Sequence, residues 1–232
     1  MLKKWALVFL APILLYQGRR VKKSTLRLAE PPGQRCGTSG TAEPLSLLIV
    51  GDSAAVGVGC NNQQCALSGQ LVNILARERQ VNWQLIGQSS LTCEGILALL
   101  KSSRLKLDRV DTVLISAGVN DVTKRTSVKH WNMSLTELTG YLHQQLKAKQ
   151  IIYTALPPMH QFPALPQPLR WYIGQRATML DRTLKQHCVS HDGVSYLPLD
   201  LPFNAELMAR DGFHPSSKAA GIWAEQASVL IR

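Results

Sequence analysis

The feature that most limits the fold of this chain is an alternation that begins at Leu45. Short apolar runs of strand length recur along it: LSLLIV (45–50), WQLIG (83–87), DTVLISAG (111–118), IIYTAL (151–156) and VSYLPL (194–199). Between them lie stretches with helical spacing, around Leu67, Leu71, Ile74 and Leu75, from Ile96 to Leu100, from Ser127 to Lys147, from about Leu169 to His187, and from about Ser216 to Leu230. Strand, helix, strand units of this kind close by right-handed crossovers into a parallel sheet with helices on both faces. The expectation is an α/β class protein: a three-layer α/β/α sandwich with a central parallel sheet of about five strands, spanning residues 45–232. No repeat of fixed period is present.

What precedes Leu45 has a different composition. Residues 1–23 carry an apolar dozen, WALVFLAPILLY (5–16), between Lys3, Lys4 and the basic GRRVKK. A bilayer-spanning helix needs roughly twenty apolar residues, so the dozen is short for that purpose. It has the charged start and apolar centre of a secretory signal, but no small-x-small cleavage site follows, and the positive flank opposes translocation. A membrane-associating segment lying at the interface, held by anionic headgroups, fits these residues. The protein is therefore expected to be membrane-associated or exported to the cell envelope, with the side of the membrane left open. Residues 24–44, with PPGQRCGTSGTAEP (31–44), read as a linker.

The formal charge of +11 is concentrated in the same place. Residues 1–40 hold eight basic side chains against Glu30, a net of +7, which leaves only +4 for the remaining 192 residues. Without a stripe of Lys and Arg interleaved with aromatics on the body of the protein, a nucleic-acid partner is not expected. Five cysteines show no metal-like clustering, and no HExxH or CxxC indicates zinc, so no metal is expected. Cys60 and Cys65 could close a small loop in an oxidising compartment or remain thiols. The five histidines other than His214 (His130, His143, His160, His187 and His191) lack ligand spacing and are expected at the surface.

Ligands of open α/β sheets bind beyond the carboxyl ends of the strands. Three polar clusters are expected there: GDS (51–53), GVND (118–121) and DGFH (211–214). A serine hydroxyl needs a base within hydrogen-bond reach, itself oriented by a third group. Ser53 is the candidate nucleophile, His214 the base and Asp211 its orienting carboxylate. Asn120 offers a side-chain amide donor that, with the Ser53 amide, could form an oxyanion hole. Each residue also has a plainer reading: Ser53 as a helix cap, Asp52 and Asp121 as loop supports, Asn120 in a turn, and DGFHP as the cap of the last helix. The three clusters together, in this order and at these strand ends, favour the catalytic reading.

These residues resemble the blocks of the SGNH hydrolases, also called GDSL esterases and lipases, and the likeness runs from about Leu45 to Arg232. The resemblance implies a flavodoxin-like fold, Ser53 as nucleophile and oxyanion donor, Asn120 as oxyanion asparagine, and Asp211 and His214 as the D-x-x-H pair. It also implies no metal or organic cofactor, and hydrolysis of carboxylic esters or thioesters through an acyl-enzyme. One block departs from the pattern: in QSSLT (88–92), Ser90 stands where the family has a glycine whose amide faces the oxyanion. Ser90 is taken as the third donor, with Gly87 as the other candidate.

The nucleophile lies outside a GxSxG elbow, and GDSAAVGVG lacks the Lys and Ser/Thr of a phosphate loop. The Pro-rich LPPMHQFPALPQPLRW (156–171) follows the fourth run and so falls on the site's side; Met159, Phe162, Leu165 and Trp171 are the expected substrate-pocket residues. The expected substrate is a small-molecule or lipid-like ester of short to medium acyl length. A deacetylase of cell-envelope sugars, an acyltransferase and a catalytically silent binding module are the alternatives. Oligomeric state is not indicated.

Overall fold

Every residue from Leu45 to Val50 is buried, because both faces of the strand they form are covered. Leu48 and Val50 join one apolar cluster, Leu47 and Ile49 the other, as the two-residue period of a strand requires. The computed structural model describes residues 4–199 and 206–231; Lys3 and Arg232 lie outside the described residues.

Six strands form one sheet: β1 (Cys36–Ser39), β2 (Pro44–Gly51), β3 (Gln80–Gly87), β4 (Thr112–Ser116), β5 (Gln150–Thr154) and β6 (Val194–Leu197), in the order β1-β3-β2-β4-β5-β6. The five from β2 to β6 are parallel, as expected. The sixth is a correction to the expected linker. Residues 36–39 pair antiparallel with β3, Cys36 opposite Gln84 and Ser39 opposite Val81, so part of the 24–44 segment belongs to the sheet. Its polar CGTS sequence lacks the apolar run by which the other strands are recognised, since an edge strand buries little.

The helices are α1 (Lys4–Ser24), α2 (Leu67–Leu75), α3 (Cys93–Ser102), α4 (Val119–Thr123), α5 (Val128–Gln144), α6 (Leu169–Val189) and α7 (Ser217–Leu230). One face of the sheet is covered by α3, α5 and α6, with Ile96, Trp131, Leu135 and Leu180 in its core. Leu67 and Leu71 of α2 and Trp223 and Ala227 of α7 cover the other. Side-chain caps start three of these helices: Thr92 accepts from the Gly95 amide, Ser127 from His130 and Ser216 from Ala219. The last helix is thus capped by Ser216, leaving the DGFH side chains for other uses.

One further expectation is corrected. His187 is 3 % exposed, hydrogen-bonded to Thr139 Oγ1 at 2.8 Å and edge-on to Tyr153. Burial, with His191 alongside, pushes its imidazole pKa down to about 4. Its spacing from Leu180 and Leu184 already places it on the inward stripe of α6.

Because β2 is flanked by β3 on one side and β4 on the other, the chain leaves it in opposite directions on successive crossovers. A topological switch point results, with a crevice at the carboxyl ends of β2 and β4. Gly51 and Ser116 are in register there. A Cβ on Gly51 would lie 2.4 Å from the Ser116 carbonyl oxygen and 2.7 Å from Ala55 Cβ, so the close approach of these two strand ends requires glycine.

Candidate active site

The segment after β2 turns at once. Asp52 Oδ1 accepts from the Ala54 amide, and the Val56 and Val58 amides reach back to the carbonyls of Asp52 and Ser53. Ser53 is thereby held at the start of a helical turn. The loop ends on Gly59, at φ +102°, where a Cβ would lie 2.6 Å from the Pro215 carbonyl oxygen and 3.3 Å from His214 Cβ. The glycines of GDSAAVGVG therefore serve two needs: the first lets strand ends meet, and the last lets the serine loop press against the histidine loop.

That second loop is a tight turn closed by hydrogen bonds from the Ala209 amide to the His214 carbonyl, the Gly212 amide to the Ala209 carbonyl and the Ser216 amide to the Leu207 carbonyl. Asp211 Oδ1 accepts from the Phe213 and His214 amides, while Oδ2 lies 2.5 Å from His214 Nδ1. His214 Nε2 is 2.9 Å from Ser53 Oγ, across 161 residues of sequence. Hydroxyl, imidazole and carboxylate form one continuous chain. Such a chain can draw a proton from the hydroxyl onto Nε2 while the carboxylate stabilises the imidazolium. Burial pushes the Asp211 carboxyl up, but its bonds from His214 and from the two amides more than offset this and hold it below its usual value.

The candidate oxyanion donors Ser53, Ser90 and Asn120 all line one cavity. Among the described residues, the amides of Ser53 and Ser90 have no acceptor. Ser90 sits at φ +69°, a left-handed conformation that favours glycine, the residue expected at this position. Gly87 is instead the last residue of β3, in register with Gly51, and does not line the cavity. Asn120, in the first turn of α4, points its Nδ2 to Asp52 Oδ2 at 3.3 Å, leaving one N–H for another partner. Asp121 Oδ2 accepts from the Cys93 amide at the start of α3 and is structural.

Asp52, expected only as a loop support, is a hub of the site. It is 1 % exposed and takes the Ala54 amide, the Ser116 hydroxyl and the Asn120 amide. Burial raises its pKa to about 6 despite these bonds. Glu30 is a second such residue, in the expected linker: its carboxylate accepts from the Ser89 amide at 2.7 Å and pairs with Arg35, holding the loop that carries Ser90. A lone Glu in a Pro- and Gly-rich segment gives no sequence signal for this role.

Around Ser53 and His214 opens a cavity of about 1180 Å³. Met159, Phe162 and Leu165 line it as expected; Phe162 also meets Phe213 of the histidine loop edge to face, with ring centroids 6.2 Å apart. Trp171 is a correction, since it does not line the cavity. The segment has already become α6 at Leu169, so the inward face carries Leu169, Tyr172 and Ile173, spaced three and four residues apart, and Trp171 points away. The cavity's remaining wall is α1, whose inward stripe includes Leu14, Gly18 and Val21. Gln17 fastens α1 to the Pro-rich segment, donating to the Gln167 carbonyl and accepting from the Leu169 amide.

A model described as the GDSL-like Lipase/Acylhydrolase family matches residues 49–222. The chain belongs to this family. Membership places it among hydrolases, and its fold is that of the GDSL/SGNH enzymes. It is similar to the lipase/acylhydrolase from Enterococcus faecalis, with 19% identity, a TM-score of 0.63, and 81% of this chain and 95% of that one covered. It is likewise similar to the esterase EstA from Pseudoalteromonas sp. (23% identity, TM-score 0.58, 78% and 93% covered) and to a family 3 carbohydrate esterase from Clostridium thermocellum (17%, 0.62, 80% and 94%). Among curated proteins, none matches the chain significantly.

The raised pKa of Asp52 has a definite sign. The folded protein takes up this proton at about pH 6, whereas an unfolded aspartate does so near 3.8, so acidification between those values stabilises the fold. Relative to Asp52→Asn, the wild type should therefore lose up to about 3 kcal/mol of stability as pH rises from about 4 to above 6. Urea midpoints of both proteins at pH 4.5 and 7.5 check this; parallel changes would mean the carboxyl does not titrate in that window.

Proposed function

We propose that the protein is a serine ester hydrolase that cleaves carboxylic esters with an apolar acyl or lipid-like part through an acyl-enzyme. The observation that carries this reading is the unbroken Ser53–His214–Asp211 hydrogen-bonded chain lining a largely apolar cavity. In this mechanism Ser53 Oγ attacks the ester carbonyl as its proton passes to His214 Nε2. The tetrahedral oxyanion accepts hydrogen bonds from the Ser53 and Ser90 amides and from Asn120 Nδ2. His214 then returns the proton to the leaving alcohol as the C–O bond breaks. Water, deprotonated by the same imidazole, attacks the acyl-enzyme and releases the acid with Ser53 restored.

Variants at these positions test the assignment. Ser53→Ala and His214→Ala should abolish nearly all turnover of p-nitrophenyl butyrate, and Asn120→Ala should lower kcat on the order of a hundredfold or more. A fluorophosphonate probe should label the wild type and leave Ser53→Ala unlabelled. An unlabelled wild type would instead favour the silent binding module.

The cavity wall formed by α1 supports an apolar substrate part. A Cβ on Gly18 would point into open space. Gly18→Leu should therefore narrow the cavity and depress kcat/KM for p-nitrophenyl palmitate relative to acetate; an unchanged ratio across the acyl series would place the acyl chain elsewhere.

Membrane association is part of the same proposal. No helix of the described residues is long and apolar enough to cross a membrane. On α1, however, Phe9, Ile13, Tyr16, Arg20 and Lys23 follow each other at alternating spacings of four and three, which makes one outward stripe, apolar first and basic after. Phe9 and Tyr16 are 81 % and 65 % exposed. Such a face suits the surface of an anionic membrane. Phe9→Asp combined with Tyr16→Asp should release the protein from sedimenting phosphatidylglycerol vesicles, and full retention would remove α1 as the attachment.

A further inference from the structure

The cavity wall is apolar, but its rim is not. Arg19 and Lys22 of α1, Arg27 after that helix, and Lys124 and Arg125 after α4 are exposed residues that line the cavity containing Ser53. Arg20 and Lys23, from the same basic run, do not line it. The helix therefore sorts its cations, with one pair on the cavity side and the other away from it.

Among the described residues, Asp52 and Asp211 are the carboxylates that line the cavity, and both are almost fully buried and already committed to the Asn120 and His214 networks. Among the described residues, no acidic side chain pairs with Arg19, Lys22, Arg27 or Arg125. Lys124 Nζ donates to the Ser90 carbonyl at 2.9 Å, which sets a positive charge beside the loop carrying the candidate oxyanion amide.

Arg125 adds a separate observation. It occupies a left-handed conformation, φ +61°, just past the end of α4, where glycine is the low-energy choice. For an L-residue this conformation costs on the order of 1 kcal/mol. The chain tolerates that strain at a residue that lines the cavity.

We propose that this rim is an anion subsite, and that the preferred substrates are esters carrying a phosphate or carboxylate group at the end away from the apolar acyl chain. This rests on the esterase reading and specifies its substrate class. An amphiphile bound with its scissile carbonyl at Ser53 would lay its chain along Phe162, Leu165 and Leu14 and leave its charged group among Arg19, Lys22 and Arg125. Guanidinium groups suit such an anion because their paired N–H donors match its oxygens. Since the cations belong to the exposed rim, the preference is sensitive to salt.

The test uses the full-length Ser53→Ala protein and two ligands that share one ester, 1-octanoylglycerol 3-phosphate and 1-octanoylglycerol, both below their aggregation limits. Isothermal titration at low salt should show the phosphate-bearing ligand binding about tenfold or more tightly. The ratio should fall to within about twofold at 0.3 M salt, and likewise on adding Arg19→Ala, Lys22→Ala and Arg125→Gly. Arg125→Gly alone should weaken phosphate binding without lowering thermal stability, which a purely structural arginine would not do. Equal affinities, a ratio that survives the triple substitution, or no saturable binding of either ligand would each overturn the subsite. Wild-type turnover of p-nitrophenyl butyrate is read separately, and its absence would count against the hydrolase and not against the rim.

Discussion

The placement of β2 between β3 and β4 is the constraint from which the site follows. A strand covered by helices on both faces is apolar at nearly every position, and LSLLIV meets that requirement everywhere but at the small, buried Ser46. Charged and reactive residues return where the strand leaves the sheet. They do so after Gly51, at Asp52 and Ser53, in the crevice that the reversal of winding direction opens. The β4 end delivers Asn120 to the same crevice, and the loop before α7 delivers Asp211 and His214. The candidate catalytic groups thus stand on the rims of buried strands and tight turns, where their positions are set by the core.

Beneath these groups lies a charge that is costly to bury. Asp52 is held almost without solvent by three donors, one of which is the side chain of Asn120. Desolvation opposes its ionised form, and the hydrogen bonds recover only part of that penalty, which is why its pKa stays high. The return is geometric: a single carboxylate ties the serine turn, the end of β4 and the asparagine of α4 together. Asp211 shows the other balance, since the donors around it outweigh burial and keep it ionised against His214.

The amino-terminal segment is joined to this framework more closely than its composition suggests. Glu30 holds the Ser89 amide, β1 extends the sheet beyond β3, and Gln17 ties α1 to the Pro-rich loop. Consequently α1 has two working faces, an outward stripe beginning with Phe9 and an inward stripe that closes the cavity over Ser53. The same helix that meets a lipid surface in the proposed arrangement would also shape what reaches the serine.

Much of this was legible in the chain because periodicity is a local property. The five parallel strands, the helices from α2 to α7 except the short α4, and the positions of GDS, GVND and DGFH at the strand ends follow from spacing in windows of a few residues. Where the sequence was silent, the missing information was a contact between distant residues. CGTS carries no strand pattern, because only pairing with β3 makes it one. Trp171 looked like a pocket residue until the start of α6 at Leu169 set the rotation of the helix, whereas the burial of His187 was already carried by its spacing from Leu180 and Leu184, and α5 and β5 supply the partners that cover it. The chain alone determined which elements form and which residue types stand at their ends. Tertiary structure decided which of those ends touch, which helix face turns inward and which charges are left unpaired, because those outcomes depend on burial and on through-space distance.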